Sequence, residues 1–219
     1  MPRIERYRTI VWDFNGTLVD DLGIGIGAIN ALLGRRGMPQ ISSYDAYHEV
    51  FCFPIEEYYR RLGFDFSVEP YEVLAHEWVR EYRAREGSAP LREGAEHLLR
   101  RFRLCGLRQA VLSATEEKML GEQLDALGIR GFFESVIGRG DIYASDKVAL
   151  AAANAHRFTG GGVLVIGDTE HDVRMAEALS ADVILLEGGH SSSSALSAIG
   201  CEIVSDLAEL ERRLFDADA

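Results

Sequence analysis

Six short runs of β-branched and other apolar residues recur along the chain, most of them separated by stretches of helical periodicity, and this alternation limits the fold more than any other feature. The runs are Thr9–Trp12, Gln109–Ser113, Ser135–Ile137, Val163–Ile166, Asp182–Leu186 and Glu202–Val204. Helical spacing covers Gly94–Cys105, Glu116–Leu127, Asp146–Phe158, Glu170–Leu179 and Leu207–Phe215, with Gly106 and Gly128 as stop signals. The expected architecture is α/β: a doubly wound, Rossmann-like parallel sheet in three layers, with ligands at the carboxyl ends of its strands.

One segment breaks the alternation. Between Asp20 and Gly87 only helical or loop signals occur, ending in the amphipathic stretch Tyr71–Arg85. An insert of this size after the first strand and its turn reads as a helical cap over residues 20–87, inserted in a core formed by 1–19 and 88–219, with Gly87-Ser88-Ala89-Pro90 as the return linker. The full length of 219 residues suits one core with such an insert. Aromatics at 44, 47, 51, 53, 58 and 59 then read as a small cap core, and Gly23-Ile24-Gly25-Ile26-Gly27 as close helix packing, since no strand precedes it.

Composition excludes several classes of function. A net charge of −12 opposes nucleic acid and anionic membrane surfaces, and the longest apolar runs are strand-sized, too short to span a bilayer. Cys52, Cys105 and Cys201 are odd in number and far apart, giving no disulfide framework, and the six histidines lack zinc-site spacing. The first eight residues have no unbroken apolar stretch, so a cytoplasmic protein is expected, as a monomer or homodimer.

Chemistry gathers at the predicted strand ends. Strand one runs into Asp13-Phe14-Asn15-Gly16-Thr17, which puts a carboxylate at a carboxyl end, as a nucleophile, a metal ligand or the cap of an ordinary turn. The fourth strand ends in Gly167-Asp168-Thr169-Glu170-His171-Asp172, where Asp168 and Asp172 are spaced to face one crevice and suit a hard cation; an acidic helix start answering the macrodipole would look the same. Strand two ends in Leu112-Ser113-Ala114-Thr115, offering a hydroxyl and helix N-terminal amides to an anion, or simply a cap. Lys147 stands out because only 2 of the 23 basic residues are lysines, and a compact ammonium beside the crevice can balance a carboxylate. Gly188-Gly189-His190-Ser191 follows strand five at the same sheet edge and reads as loop punctuation, with a site role for His190 as the alternative.

A strand followed by DxxGT, a strand ending in Ser, a Lys, and a strand followed by GDxxxD, in this order over residues 9–172, resemble the haloacid dehalogenase superfamily, and the helical insert resembles the cap of its phosphoglycolate phosphatase-like branch. The resemblance implies a phosphoric monoester or acyl-phosphate hydrolase, with a small phosphorylated metabolite as substrate. It implies Asp13 as nucleophile and Mg²⁺ held by Asp13, the Asn15 carbonyl, Asp168 and, through water, Asp172. Ser113, Ala114 and Lys147 would bind the phosphoryl group, with Lys147 also paired to Asp13.

The chain departs from that pattern at Asn15, where the phosphatases carry an aspartate that protonates the leaving alkoxide. An amide moves no proton near neutral pH. General acid–base catalysis is worth about 10²–10⁴-fold, so substrates with weakly basic leaving groups are expected. A phosphate-binding or regulatory protein with weakened catalysis is the alternative. No lysine occurs in 20–88 to form the Schiff base of the phosphonatase branch, and the acidic pair 168/172 does not suit a metal-free dehalogenase.

Overall fold

The computed structural model describes residues 2–142 and 147–216. All six expected strands form: β1 (Tyr7–Trp12), β2 (Arg108–Glu116), β3 (Ser135–Arg139), β4 (Gly162–Gly167), β5 (Asp182–Leu186) and β6 (Glu202–Val204). They make one parallel sheet in the order β3-β2-β1-β4-β5-β6. From β1 the chain winds outward through β2 and β3, then returns to the other side of β1 with β4. The crevice outside β1 and β4 is therefore the switch point of the doubly wound sheet, where such folds bind ligands.

The sheet is buried on both faces, which is why its strands read as near-continuous apolar runs. Side chains alternate: Ile10 and Trp12 pack with Leu98, Leu99 and Phe102 on one face, and Val11 packs with Ala151, Met175 and Ala176 on the other. Helices α1 (Leu22–Arg35), α2 (Tyr44–Val50), α3 (Ile55–Arg61) and α4 (Tyr71–Arg83) lie between β1 and the first helix that packs on the sheet, α5 (Ala95–Leu104). These four helices share their own apolar cluster, including Leu22, Ile29, Leu33, Tyr47, Tyr58, Tyr59 and Leu74. The glycine-rich stretch 23–27 lies within α1, which packs against α4.

The chain enters and leaves this helical insert along paired strands of backbone. Asp20 N–H donates to the Pro90 carbonyl (3.0 Å) and Arg92 N–H to that of Leu18 (2.9 Å). Beyond α6 (Glu117–Ala126), the helix expected over Asp146–Phe158 appears as α7 (Lys147–Asn154) followed by a 3₁₀ turn; Asp146 itself lies outside the described residues. The helices α8 (Glu170–Leu179), α9 (Ser193–Ile199) and α10 (Leu207–Phe215) complete the core. The sequence gives no sign of α9 because its start is a serine run; Ser192 caps it by accepting from Ala195 N–H, and Leu196 anchors it in the core. No described helix is long and apolar enough to cross a membrane.

Candidate active site

Strand register sets the first two site residues side by side. Trp12 pairs with Ile166, so Asp13 leaves β1 beside the end of β4, with its N–H on the Ile166 carbonyl (2.9 Å). The loop then turns sharply about Phe14, whose carbonyl accepts from Thr17, Leu18 and Val19. Gly16 adopts φ +73°, and a Cβ there would lie 2.4 Å from Asp168 Oδ2, so only glycine lets the loop close onto that carboxylate. Asp168 is in turn held by the Thr17 hydroxyl (2.9 Å) and the His190 backbone N–H (2.6 Å).

Lys147, the first described residue of α7, is buried with its ammonium between two carboxylates, 2.6 Å from Asp13 Oδ1 and 2.6 Å from Asp172 Oδ1. Asp172 uses its other oxygen to accept from Asp168 N–H, Thr169 N–H and the Thr169 hydroxyl, at 2.9–3.1 Å. The two readings of Asp172 from sequence thus coexist: it secures the start of α8 and reaches the crevice. Burial, then the neighbouring Asp172 charge, pushes the Asp13 carboxyl well above its ordinary range, against the pull of Lys147. Burial disfavours the Lys147 ammonium, yet Asp13 and Asp172 outweigh this and raise its affinity for the proton.

One ammonium therefore faces three buried carboxylates. Asp13, Asp168 and Asp172 each offer an oxygen, all within 4.8 Å of one another. Surplus negative charge in a dry site is costly. An all-oxygen donor set of this kind fits a hard divalent cation that keeps several waters. Lys147→Met should cost about 3–5 kcal/mol in urea unfolding without metal, because it strands Asp13 and Asp172 unpaired. Added Mg²⁺ should recover part of that loss; equal midpoints for variant and wild type would show that the ion pair adds no stability.

Asn15 is fully engaged. Its Nδ2 donates to Asp21 Oδ2 (2.7 Å) and to the Tyr82 hydroxyl oxygen (3.1 Å), while its Oδ1 accepts from the Thr115 hydroxyl (2.8 Å) and, at 3.5 Å, from that of Ser113. The Asp21 carboxylate fixes which way the amide points. Asp21 also accepts from Gly16 N–H (2.9 Å) and the Tyr82 hydroxyl (2.9 Å), with His190 Nε2 at 3.5 Å. Burial alone would raise the Asp21 carboxyl, but bonds from His190, Asn15 and Tyr82 hold it below its usual range. Burial opposes charge on His190, yet Asp21 pushes its pKa up to about 9.

Each residue singled out from sequence reaches this one crevice: Asp13, Asn15, Ser113, Ala114 and Lys147 line a cavity of about 190 Å³, with Asp168 and Asp172 behind its floor. Asp21 and Tyr82 are not among the residues that the sequence singles out, and His190, whose site role is the alternative there to loop punctuation, lines the cavity as well. Asp21 carries a faint sequence signal, an acidic pair directly after the motif turn where the chain is otherwise apolar, and Tyr82 carries none. The helical insert covers the cavity through Tyr47 Oη, 2.7 Å from His190 Nδ1, through His48 Nε2, 3.0 Å from the Gly189 carbonyl, and through Phe53 stacked on His171.

A doubly wound parallel sheet with carboxylates and a lysine buried at its switch point, beneath a helical cover, defines the class. Residues 10–186 match the haloacid dehalogenase-like hydrolase family, and the chain belongs to it. A phosphoglycolate phosphatase of Caulobacter vibrioides is 26% identical over 204 residues, covering 90% of this chain and 85% of that protein. The tyrosine-protein kinase PtkA of Mycobacterium tuberculosis is also 26% identical, over 211 residues, covering 94% and 71%. A haloacid dehalogenase-like hydrolase from Streptococcus pneumoniae shares the fold with a TM-score of 0.79 at 19% identity, covering 94% of this chain and 98% of that one.

Proposed function

We propose that the protein is a Mg²⁺-dependent phosphatase that acts on a small phosphorylated metabolite through an aspartyl-phosphate on Asp13. The observation that carries this reading is the Lys147 ammonium shared by Asp13 and Asp172 at the switch point, with Asp168 in reach of the same centre. A carboxylate attacks an anionic phosphoryl group only where both charges are compensated. Asp13, Asp168 and the Asn15 backbone carbonyl, with Asp172 through water, would hold Mg²⁺, which when bound would draw off phosphoryl charge. Lys147 holds Asp13 in line for attack, and Ser113 and the Ala114 backbone receive the phosphoryl oxygens.

Residues 20–87 act as the cap, excluding water through the Tyr47, His48 and Phe53 contacts, over a core of 1–19 and 88–219. Because Asn15 lends no proton, the leaving group departs as its anion, which favours acyl phosphates and other esters of weakly basic oxygen. The test is phosphate release across a panel of phosphorylated metabolites, with Mg²⁺ present and withheld. Saturable, metal-dependent release supports the reading, and its absence from every acyl and ester substrate rejects it.

The engagement of the Asn15 amide favours a second reading, a phosphate-binding protein that turns over little or not at all. Tight binding of a phosphorylated compound without release would select it.

A further inference from the structure

Substrate choice is written in the walls of the cavity. The apolar part of the lining includes Phe51, Phe53, Trp78, Val79, Met119 and Ile142. Among its described lining residues Lys147 is the only lysine or arginine, and it already spans Asp13 and Asp172. None of the insert's seven arginines lines the cavity, and six of them pair with carboxylates elsewhere: Arg35 with Glu77 and Glu81, Arg36 with Glu69 and Glu77, Arg60 and Arg61 with Glu57, Arg83 with Glu122, and Arg85 with Glu81.

Other groups that could receive a second anion are committed as well. Glu116 lines the cavity and fills the start of α6 with its own carboxylate, accepting from Lys118 and Met119 N–H. The hydroxyls of Tyr47 and Tyr82 are bonded to His190 and Asp21, and His171 lies flat on Phe53. A carboxylate carried in with the phosphoryl group would meet Asp21 and Glu116 and, among the described lining residues, no unpaired cation, because the His190 ring is already held between Asp21 and Tyr47. The cavity of about 190 Å³ must hold the phosphoryl group beside Asp13 and Lys147 together with the group it is esterified to, which leaves room on the order of one benzene ring, the occupant of an apolar cavity of about 150 Å³, and rings pack well edge-to-face against other rings.

We infer that the substrate is an aryl phosphate, the phosphate monoester of a small uncharged phenol. The inference rests on the phosphatase reading and deepens it. Asp13 Oδ attacks phosphorus, and the bond from phosphorus to the aryl oxygen breaks with its electron pair going to that oxygen. The phenolate leaves and takes a proton from water. A second water then hydrolyses the aspartyl-phosphate to inorganic phosphate and restores the Asp13 carboxylate. A phenol is more acidic than water or an alkyl alcohol by about five pKa units, so its oxide leaves without the proton that Asn15 does not provide.

The experiment compares phenyl phosphate with 4-carboxyphenyl phosphate and phosphoglycolate on the wild-type protein with Mg²⁺. The carboxyphenyl oxide is the slightly better leaving group, so any preference for the plain ring comes from the cavity. We expect kcat/KM for phenyl phosphate to exceed both others at least about tenfold. Equal or better use of either carboxylate-bearing ester overturns the inference while leaving the phosphatase reading intact. If no ester or acyl phosphate is turned over, that reading fails, and the cavity is judged by calorimetry. Phenylphosphonate binding at least about tenfold tighter than phosphonoacetate supports the aromatic site, and the reverse order or parity rejects it.

Discussion

Asp13→Asn should lower turnover of any substrate by about 10⁴-fold or more, the scale on which loss of a single member of a nucleophilic constellation is felt. The position has no substitute: Asp168 is bonded to Thr17 and His190, and Asp172 to Lys147 and the start of α8. The variant should remain folded, because Lys147 keeps Asp172 as its partner and the buried carboxylates fall from three to two. Its melting temperature without metal should therefore match or exceed that of the wild type. Steady-state release of phosphate together with a thermal melt checks both halves, and wild-type turnover in the folded variant would remove Asp13 as nucleophile.

Restoring an acid at position 15 requires two changes. The Asn15 amide donates to Asp21 at 2.7 Å, so Asn15→Asp alone sets two carboxylates against each other and directs the new acid towards Asp21 instead of the substrate. Exchanging both, Asn15→Asp with Asp21→Asn, reverses donor and acceptor while keeping the pair: the new amide donates to the new carboxylate, and its oxygen still receives Gly16 N–H. This double variant should hydrolyse simple alkyl phosphate esters about 10²-fold faster than wild type, or better, as expected for one general acid–base group. The single variant should gain less and be less stable. Equal rates for wild type and double variant, with both folded, would show that proton transfer does not limit this enzyme.

The contrast between Asn15 and its surroundings shows where sequence reasoning ends. Asp13, Ser113, Lys147, Asp168 and Asp172 were legible because each sits at a strand end or the start of a helix, and a parallel sheet brings such ends to one edge. The strands were legible because both faces of the sheet are buried, making each an apolar run. What Asn15 does in place of an acid depends on Asp21, six residues on, and Tyr82, on a helix of the insert, and no local pattern links the three. His190 is only half legible: its place after strand five allows a site role, but its partners Tyr47 and Asp21 lie far away in sequence, and a Gly-Gly-His-Ser loop looks like punctuation. Helix α9 was hidden by serines, its one anchor being Leu196.

The proposed covalent step on Asp13 is tested most directly by acid-quenching the wild-type protein after brief exposure to acetyl phosphate and Mg²⁺, then measuring the intact mass and mapping the modified peptide. A stoichiometric gain of one phosphoryl group on Asp13, lost on longer incubation and absent from Asp13→Asn, is the predicted result. Release of inorganic phosphate without that gain at any quench time, or a phosphoryl group on another residue, would contradict it.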